Sequence, residues 1–450
     1  VDPYAYLNRG LALFQMGRLD EALNCYDSAL ALKPDLIPAL YHKGNISLQR
    51  ERFGEAVAAY ERVLAVQPAH RESLNNLGTA LAASGRHEDA LAAYERILLG
   101  EPDDVAAHYN RALVLRDLGR YPEALTSLDR ALSLRPHLVE ALGTRGAVLN
   151  ALARYDEAIS SCDRALALHP NDPAAVINKG VALENLGRFD EALVYLECAS
   201  SLQDESAVVH FNKGNVLLEL SRFDQALASF DRALELDPDD ADALVNRGVA
   251  LKALWRFDDA LMSFERALSN NPREVSALYN RGNTLQELDR FDEARACYVR
   301  AIALRPDNAQ AHWNYALLCL LLGDYATGWR EYEWRWKRKD PPRTFPQPLW
   351  LGKEPLAGKI IVLHAEQGFG DTIQFCRYAS RVQDLGATVV LQAPAVLMDL
   401  LAGVAGADLV LADGDGLPEF DFHCPLMSLP LAFGTEVCTI PAPAAYLSAP

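Results

Sequence analysis

The sequence predicts a mostly α-helical chain: a right-handed superhelix of about ten 34-residue helix-turn-helix repeats, followed by a small α/β lobe. Three observations carry this fold class. A small residue recurs every 34 positions between residues 10 and 316, two further registers run in step with it, and beyond residue 336 the period gives way to short β-rich apolar runs. The predicted organisation is a repeat solenoid over 1–336, a Pro-rich linker over 337–357 and an α/β lobe over 358–450.

The first register is Gly10, Gly44, Gly78, Ala112, Gly146, Gly180, Gly214, Gly248, Gly282 and Ala316. Twelve residues later stand Ala22, Ala56, Ala90, Ala124, Ala158, Ala192, Ala226, Ala260, Ala294 and then Gly328. Pro34, Pro68, Pro102, Pro136, Pro170, Pro238, Pro272 and Pro306 form the third, interrupted at Asp204. The small residues let two helices of a hairpin approach closely. Gly17-Arg18, Gly85-Arg86, Gly119-Arg120 and Gly187-Arg188 end the first helix with a left-handed cap. Asp20-Glu21 and Asp190-Glu191 open the second with acid at its positive pole. An aromatic four residues after the alanine (Tyr26, Tyr60, Tyr94, Phe230, Phe264, Tyr298) packs on the same helical face, and the proline ends the unit. A unit of this kind cannot bury its apolar face alone, so the units must stack into a solenoid with a concave surface.

This pattern resembles the tetratricopeptide repeat over roughly three quarters of the chain. Two positions before each small residue stand Asn8, His42, Asn76, Asn110, Thr144, Asn178, Asn212, Asn246, Asn280 and Asn314. Asparagine costs a helix about half a kcal/mol relative to alanine, or roughly 4 kcal/mol over the eight sites. A side-chain amide both donates and accepts, so the column can pair with the backbone of an extended polypeptide regardless of its sequence. In the tetratricopeptide repeat this position lies on the first helix, which lines the inner surface, and the column resembles the asparagine ladder of O-GlcNAc transferase. The same column is also explained by bonds to a neighbouring helix, or by recent duplication, and His42 and Thr144 interrupt it. His108, His210 and His312 read as packing or exposed residues.

Composition narrows the function classes. Half the residues are apolar and 23% charged, which excludes wholesale disorder. With 43 Lys and Arg against 61 Asp and Glu the net charge is −18, which repels nucleic acid. No apolar stretch is long enough to span a membrane. The eight cysteines contain no C-x-x-C pair and suit reduced, buried thiols of a cytoplasmic protein; no metal site is expected. The chain opens at Val1 without a signal segment and reads as a fragment. Its oligomeric state is not legible.

The segment Gly328-Trp329-Arg330-Glu331-Tyr332-Glu333-Trp334-Arg335-Trp336 keeps a helical second element, and Lys337-Arg338-Lys339-Asp340-Pro341-Pro342-Arg343 opens the linker. Its interleaved Trp and Arg read either as a ligand patch or as a helix end whose cations suit the negative pole and whose aromatics pack on the next domain. Beyond it, strands are expected at Ile360–His364, Thr388–Gln392, Asp408–Leu411 and Asp421–Cys424, with helices from near Asp371 and over Pro394–Leu401. That alternation implies a parallel, Rossmann-like sheet. Gly368-x-Gly370 is not a dinucleotide fingerprint. Ile373 replaces its third glycine, Gln392 stands where a ribose-binding acid belongs, and Asp371 opposes a bound phosphate.

The runs Glu366-Gln367-Gly368-Phe369-Gly370-Asp371 and Asp421-Phe422-His423-Cys424-Pro425-Leu426-Met427-Ser428 are similar to the first lobe of GT-B glycosyltransferases, in particular to bacterial repeat proteins with a domain akin to the heptosyltransferase family. The resemblance covers about 90 residues and implies that Gly370-Asp371 belongs to the acceptor side of a cleft with Asp371 as general base; Gly368 and Glu366 stand on the same expected acceptor loop, and His364 at the strand end before it. The base would take the proton of an acceptor hydroxyl attacking the anomeric carbon. Asp371 with Gln374 also reads as a capping box, and His364, His423 and Glu366 are secondary candidates. The resemblance implies no cofactor bound by this chain, and a nucleotide sugar as co-substrate only with a second lobe. The implied function is protein O-glycosylation of a polypeptide held in the concave groove. A non-catalytic adaptor, or a glycosyltransferase acting on a glycan, are the alternatives.

Overall fold

A computed structural model of the chain describes residues 2–338, 345–441 and 447; residues 339–344 of the expected linker lie outside them. By compactness the chain divides into two units, Val1–Pro238 and Asp239–Pro450.

The first unit holds seven helix pairs. Each first helix has 13 residues, as in Pro3–Gln15 or Pro173–Asn185, and each second has 14, as in Leu19–Leu32 or Phe189–Leu202. Within a pair the elbow is the expected left-handed cap. Arg18 N–H donates to Leu13 C=O and Gly17 N–H to Phe14 C=O at 2.9 and 3.0 Å, and the pattern recurs at Arg52, Arg86, Arg120, Arg154, Arg188 and Arg222. Glycine is not obligatory at this elbow: Glu51, Ala153 and Ser221 adopt it with φ near +57°.

Close approach explains the small-residue register. A β-carbon at Gly44 would lie 2.7 Å from Tyr60 Cε1, and one at Gly214 2.6 Å from Phe230 Cε1. Tyr60 and Phe230 are fully buried, so the ring at position 24 of a repeat occupies the volume that the glycine at position 8 vacates. Ala112 occurs where position 24 is the smaller Leu128. Successive repeats are clamped where the prolines stand: Arg62, Arg96 and Arg164 each donate to the carbonyl of Pro34, Pro68 and Pro136, at 2.6, 2.9 and 3.2 Å.

The second unit holds three more helix pairs, the last ending in a shortened helix, Tyr325–Tyr332, and a 3-10 turn, Glu333–Lys337. A parallel four-stranded sheet follows: β1 (Ile360–His364), β2 (Thr388–Ala393), β3 (Leu409–Ala412) and β4 (Phe422–Pro425), in the order β3-β2-β1-β4. β1 pairs Ile360 with Thr388 on one side and Ile361 with Phe422 on the other. The four expected strands are present within a residue or two. The expected helix over Pro394–Leu401 is a 3-10 turn, Ala395–Leu397, and a single α-turn, Met398–Leu401. Residues 348–350 of the linker lie along β4, with Trp350 N–H donating to His423 C=O at 2.9 Å and the Trp350 ring buried. Tyr332 packs in one apolar cluster with Phe375, Leu363 and Leu426, so the last repeat and the sheet share a core. Among the described residues Cys25, Cys162, Cys297, Cys319, Cys376 and Cys424 are buried free thiols, Cys198 is half-buried and Cys438 exposed.

Gly214→Ala should lower the stability of the first unit by about 1–3 kcal/mol, the cost of forcing a methyl group into an occupied core. Gly187→Ala, where nothing lies within 4 Å but φ is +72°, should cost about 1 kcal/mol. Urea denaturation curves of the two variants test both values.

Candidate functional site

Two places hold the residues that the sequence singles out: the outward face of the first helices, and the carboxyl ends of the sheet strands. Counting positions from the first residue of each repeat (3, 37, 71 and onward), the second repeat buries Ala39, Leu40, Gly44, Ile46 and Ser47, positions 3, 4, 8, 10 and 11. At 100° per residue, positions 2, 5, 6, 9, 12 and 13 then share the opposite side. The asparagines stand on it at position 6. Asn8 is exposed; Asn76, Asn110, Asn178, Asn212, Asn246, Asn280 and Asn314 are half-buried.

Several of these amides bond the preceding repeat. Asn76 Nδ2 donates to Asn45 Oδ1 at 3.0 Å and to Tyr41 OH at 3.5 Å, and Tyr60 OH donates to the same Asn45 oxygen at 2.8 Å. The tenth repeat reproduces this triad, with Asn314 donating to Asn283 and Tyr279 at 2.6 and 3.1 Å and Tyr298 to Asn283 at 2.7 Å. Asn110 donates to Asn75 Oδ1 at 2.9 Å and Asn178 to Gly143 C=O at 3.2 Å. At these four joints the neighbouring-helix explanation accounts for the asparagine. Asn280 turns back to Ser276 C=O in its own helix at 3.0 Å, and Asn246 also has a partner. By the same register Asn212 faces Ile177 and Val181, which offer it no side-chain acceptor.

The two interruptions differ. Thr144 is buried and donates to Glu140 C=O at 2.8 Å. His42 lies among Phe14, Tyr26 and Tyr41, with ring centroids 6.0, 6.0 and 5.4 Å away, and burial lowers its pKa. Position 9 of the first repeat is Leu11 rather than asparagine, so Tyr26 OH and His42 Nδ1 are buried without a partner among the described residues. His108, His210 and His312 have one shared role. Each ring Nε2 lies 2.9–3.0 Å from the carbonyl six residues earlier, of Pro102, Asp204 and Pro306.

In the lobe, strand order reverses between β1 and β4, and ligands of open α/β sheets bind outside the carboxyl ends at such a point. Here the crevice receives Arg335 from the 3-10 turn. Its Nη2 donates to Glu366 Oε1 at 2.9 Å and to Ser428 Oγ at 2.7 Å, its Nε to Glu366 Oε2 at 3.2 Å and its Nη1 to Glu333 Oε1 at 2.7 Å. The guanidinium also lies over the Trp336 ring at 4.2 Å. Arg335 and Glu366 side chains are 4% and 6% exposed. Burial pushes Glu366 up to about 7, against the opposing pull of Arg335. Beside this pair lies a cleft of about 250 Å³, lined by Trp336, His364, Glu366, Gln367, Pro394 and Asp413. Buried His364 sets Nε2 3.2 Å from Nδ1 of His423, whose pKa burial lowers.

His364 and Glu366 thus share one cleft wall; Gly368 follows at the end of the same loop, and Gly370 lies in the first turn of the helix beyond it. Asp371 stands apart. The helix runs Phe369–Phe375 with Gly368 as its N-cap and no side-chain cap, so it begins two residues before the expected start. Asp371 therefore sits at the third helical position and makes no capping box with Gln374; the chain leaves β1 through Ala365–Gly368 and turns helical as soon as it clears the sheet. Its Oδ2 is 3.8 Å from where a β-carbon on Gly368 would lie, so the carboxylate leans back over the loop. Sequence reasoning missed Arg335, Glu333 and Ser428 as one cluster. Of the two readings of the Trp/Arg segment, packing on the next domain is the one seen: Trp329 meets Phe375 edge-on at 5.8 Å.

Arg335→Met leaves Glu366 buried without its cation and should cost the second unit about 3–5 kcal/mol, most of it recovered by adding Glu366→Gln, as urea midpoints would report. His42 has a folded-state pKa below its unfolded value, so the unfolded state binds more protons near pH 6.5. Stability of the first repeats should fall as pH drops through that value, and His42→Asn should flatten the profile of amide exchange against pH.

Models of the tetratricopeptide repeat match residues 3–36, 41–101, 75–138, 149–210, 214–254 and 279–342. Among solved structures, the chain is similar to a tetratricopeptide repeat protein from Parabacteroides merdae, at 21% identity over 55% of this chain and 98% of that one, with a TM-score of 0.46. It is also similar to YrrB, described as a repeat protein with an unusual peptide-binding site (24% identity, 41% and 95% of the two chains, TM-score 0.36), and to yeast Tom70 (15%, 76% and 92%, 0.38). No curated protein matches the chain significantly. The 34-residue hairpins and the matches to the repeat models over most of the chain agree: the chain is a tetratricopeptide repeat protein.

Proposed function

We propose that the chain holds an extended polypeptide along the outward faces of its first helices, and that the α/β lobe is the acceptor side of a sugar-transfer site. A protein-binding or adaptor role follows from the repeats themselves. The finer reading rests on one observation: the Ala365–Gly368 loop, and with it the helix that carries Asp371, leaves β1 beside the point where strand order reverses. In that reading Asp371 accepts the proton of a polypeptide hydroxyl as its oxygen bonds to the anomeric carbon of a nucleotide sugar, and the nucleoside diphosphate departs with the electron pair of the broken C–O bond. Holding the nucleotide falls to a second lobe; the described residues form one sheet.

The Arg335 guanidinium favours a second reading. It fills the crevice between β1 and β4, as expected of a docking module that transfers nothing. Incubating the protein with labelled nucleotide sugars and a bound polypeptide separates the two. Transfer that falls by about 100-fold or more in Asp371→Asn supports the catalytic reading. Polypeptide binding without turnover of any donor leaves the adaptor.

A further inference from the structure

We propose that the outward faces of the sixth and seventh repeats select a basic polypeptide segment, one that sets a lysine or arginine against Glu184 and Glu219 while neighbouring aliphatic side chains rest on Val181 and Val208. The proposal rests on the polypeptide-binding reading and gives it a chemical preference.

The register places the two carboxylates together. Asn110 with Asn75, Asn178 with Gly143 and Asn314 with Tyr279 are contacts between residues 35 apart, from position 6 of one repeat to position 5 of the repeat before. Two helical turns further along, positions 13 and 12 repeat that relation, and in the sixth and seventh repeats they are Glu219 and Glu184. The other joints within each unit carry no like-charged pair at these positions; Lys252 and Glu287, in the second unit, are opposite in sign. Like charges so placed repel. Burial, together with Glu219, pushes Glu184 up to about 7, and among the described residues no cation offsets that shift. Lys179 is taken by Asp163 at 2.5 Å and Arg188 by Glu191 at 2.7 Å, while Lys213 and Arg222 stand at positions 7 and 16, off this face.

The surroundings fit an extended chain. Val208 is 62% exposed and Phe211, Ile177 and Val181 are half-buried on the same face. Asn212 meets only the aliphatic Ile177 and Val181 across the joint, which leaves its amide for a peptide group. An ammonium or guanidinium brought to the acidic pair relieves the repulsion.

The test uses the full chain and three pools of fluorescent decapeptides, randomised except for a central Lys, Gln or Glu, read by anisotropy. The Lys pool should bind about tenfold tighter than the Glu pool, with Gln between them. The double variant Glu184→Gln/Glu219→Gln, which preserves side-chain volume, should bring the three within about twofold while leaving the Gln pool unchanged. Binding without charge preference, or a Lys preference that survives the double variant, overturns the acidic-pair proposal and leaves polypeptide binding standing. If no pool binds, the polypeptide-binding reading falls, and this proposal with it.

Discussion

The close seam between the small residue at position 8 and the buried side chain at position 24, a ring in seven of the ten hairpins, is the constraint on which the rest of the molecule depends. A first helix comes close enough to its partner for a buried aromatic at position 24 to fill the space of a missing β-carbon, as at Gly44 with Tyr60 and Gly214 with Phe230. That approach fixes the angle of the hairpin. The angle in turn decides which side of the first helix stays uncovered, and so which side chains a partner can meet.

Between hairpins the chemistry is more varied than within them. The Tyr60–Asn45–Asn76 and Tyr298–Asn283–Asn314 triads satisfy a buried phenol and bind two repeats with one amide. Where the phenol is absent the amide drifts, to a backbone carbonyl at Asn178 or to its own helix at Asn280. A repeat array can thus keep one residue type in a column while using it for different purposes, and identity of type is a poor guide to shared function.

This explains what was legible in the sequence. Gly10, Ala22 and Pro34 act within one hairpin, so their periodicity translates directly into structure. The strands were legible because Ile360–His364 and Thr388–Ala393 are buried β-rich runs bounded by polar turns. The joints were harder. Read as a column, the asparagines point to a ligand; read as pairs, they show a tyrosine at position 24 beside Asn45, Thr79 and Asn283 at position 9, and Leu128, Cys162 or Leu196 beside Leu113, Ala147 and Val181, while Tyr26 beside Leu11, Phe230 beside Asn215 and Tyr332 beside Leu317 depart from it. That pairing was available in the sequence. The Arg335–Glu366 contact was not, because it joins 31 residues through a fold that only tertiary packing decides. Asp371 was misplaced for a related reason: its spacing from Gln374 suits a cap, but the exit from β1 sets the cap at Gly368.

The Arg335 cluster also determines where this polypeptide can be cut. A fragment starting at the first strand would carry Glu366 without its cation and would lose the backbone pairing of Trp350 to β4 from upstream of it. Tyr332 contributes to the same apolar cluster as the sheet. The autonomous piece at the carboxyl end therefore includes the last hairpin, and a protease that spares folded structure would release the sheet together with that hairpin rather than alone.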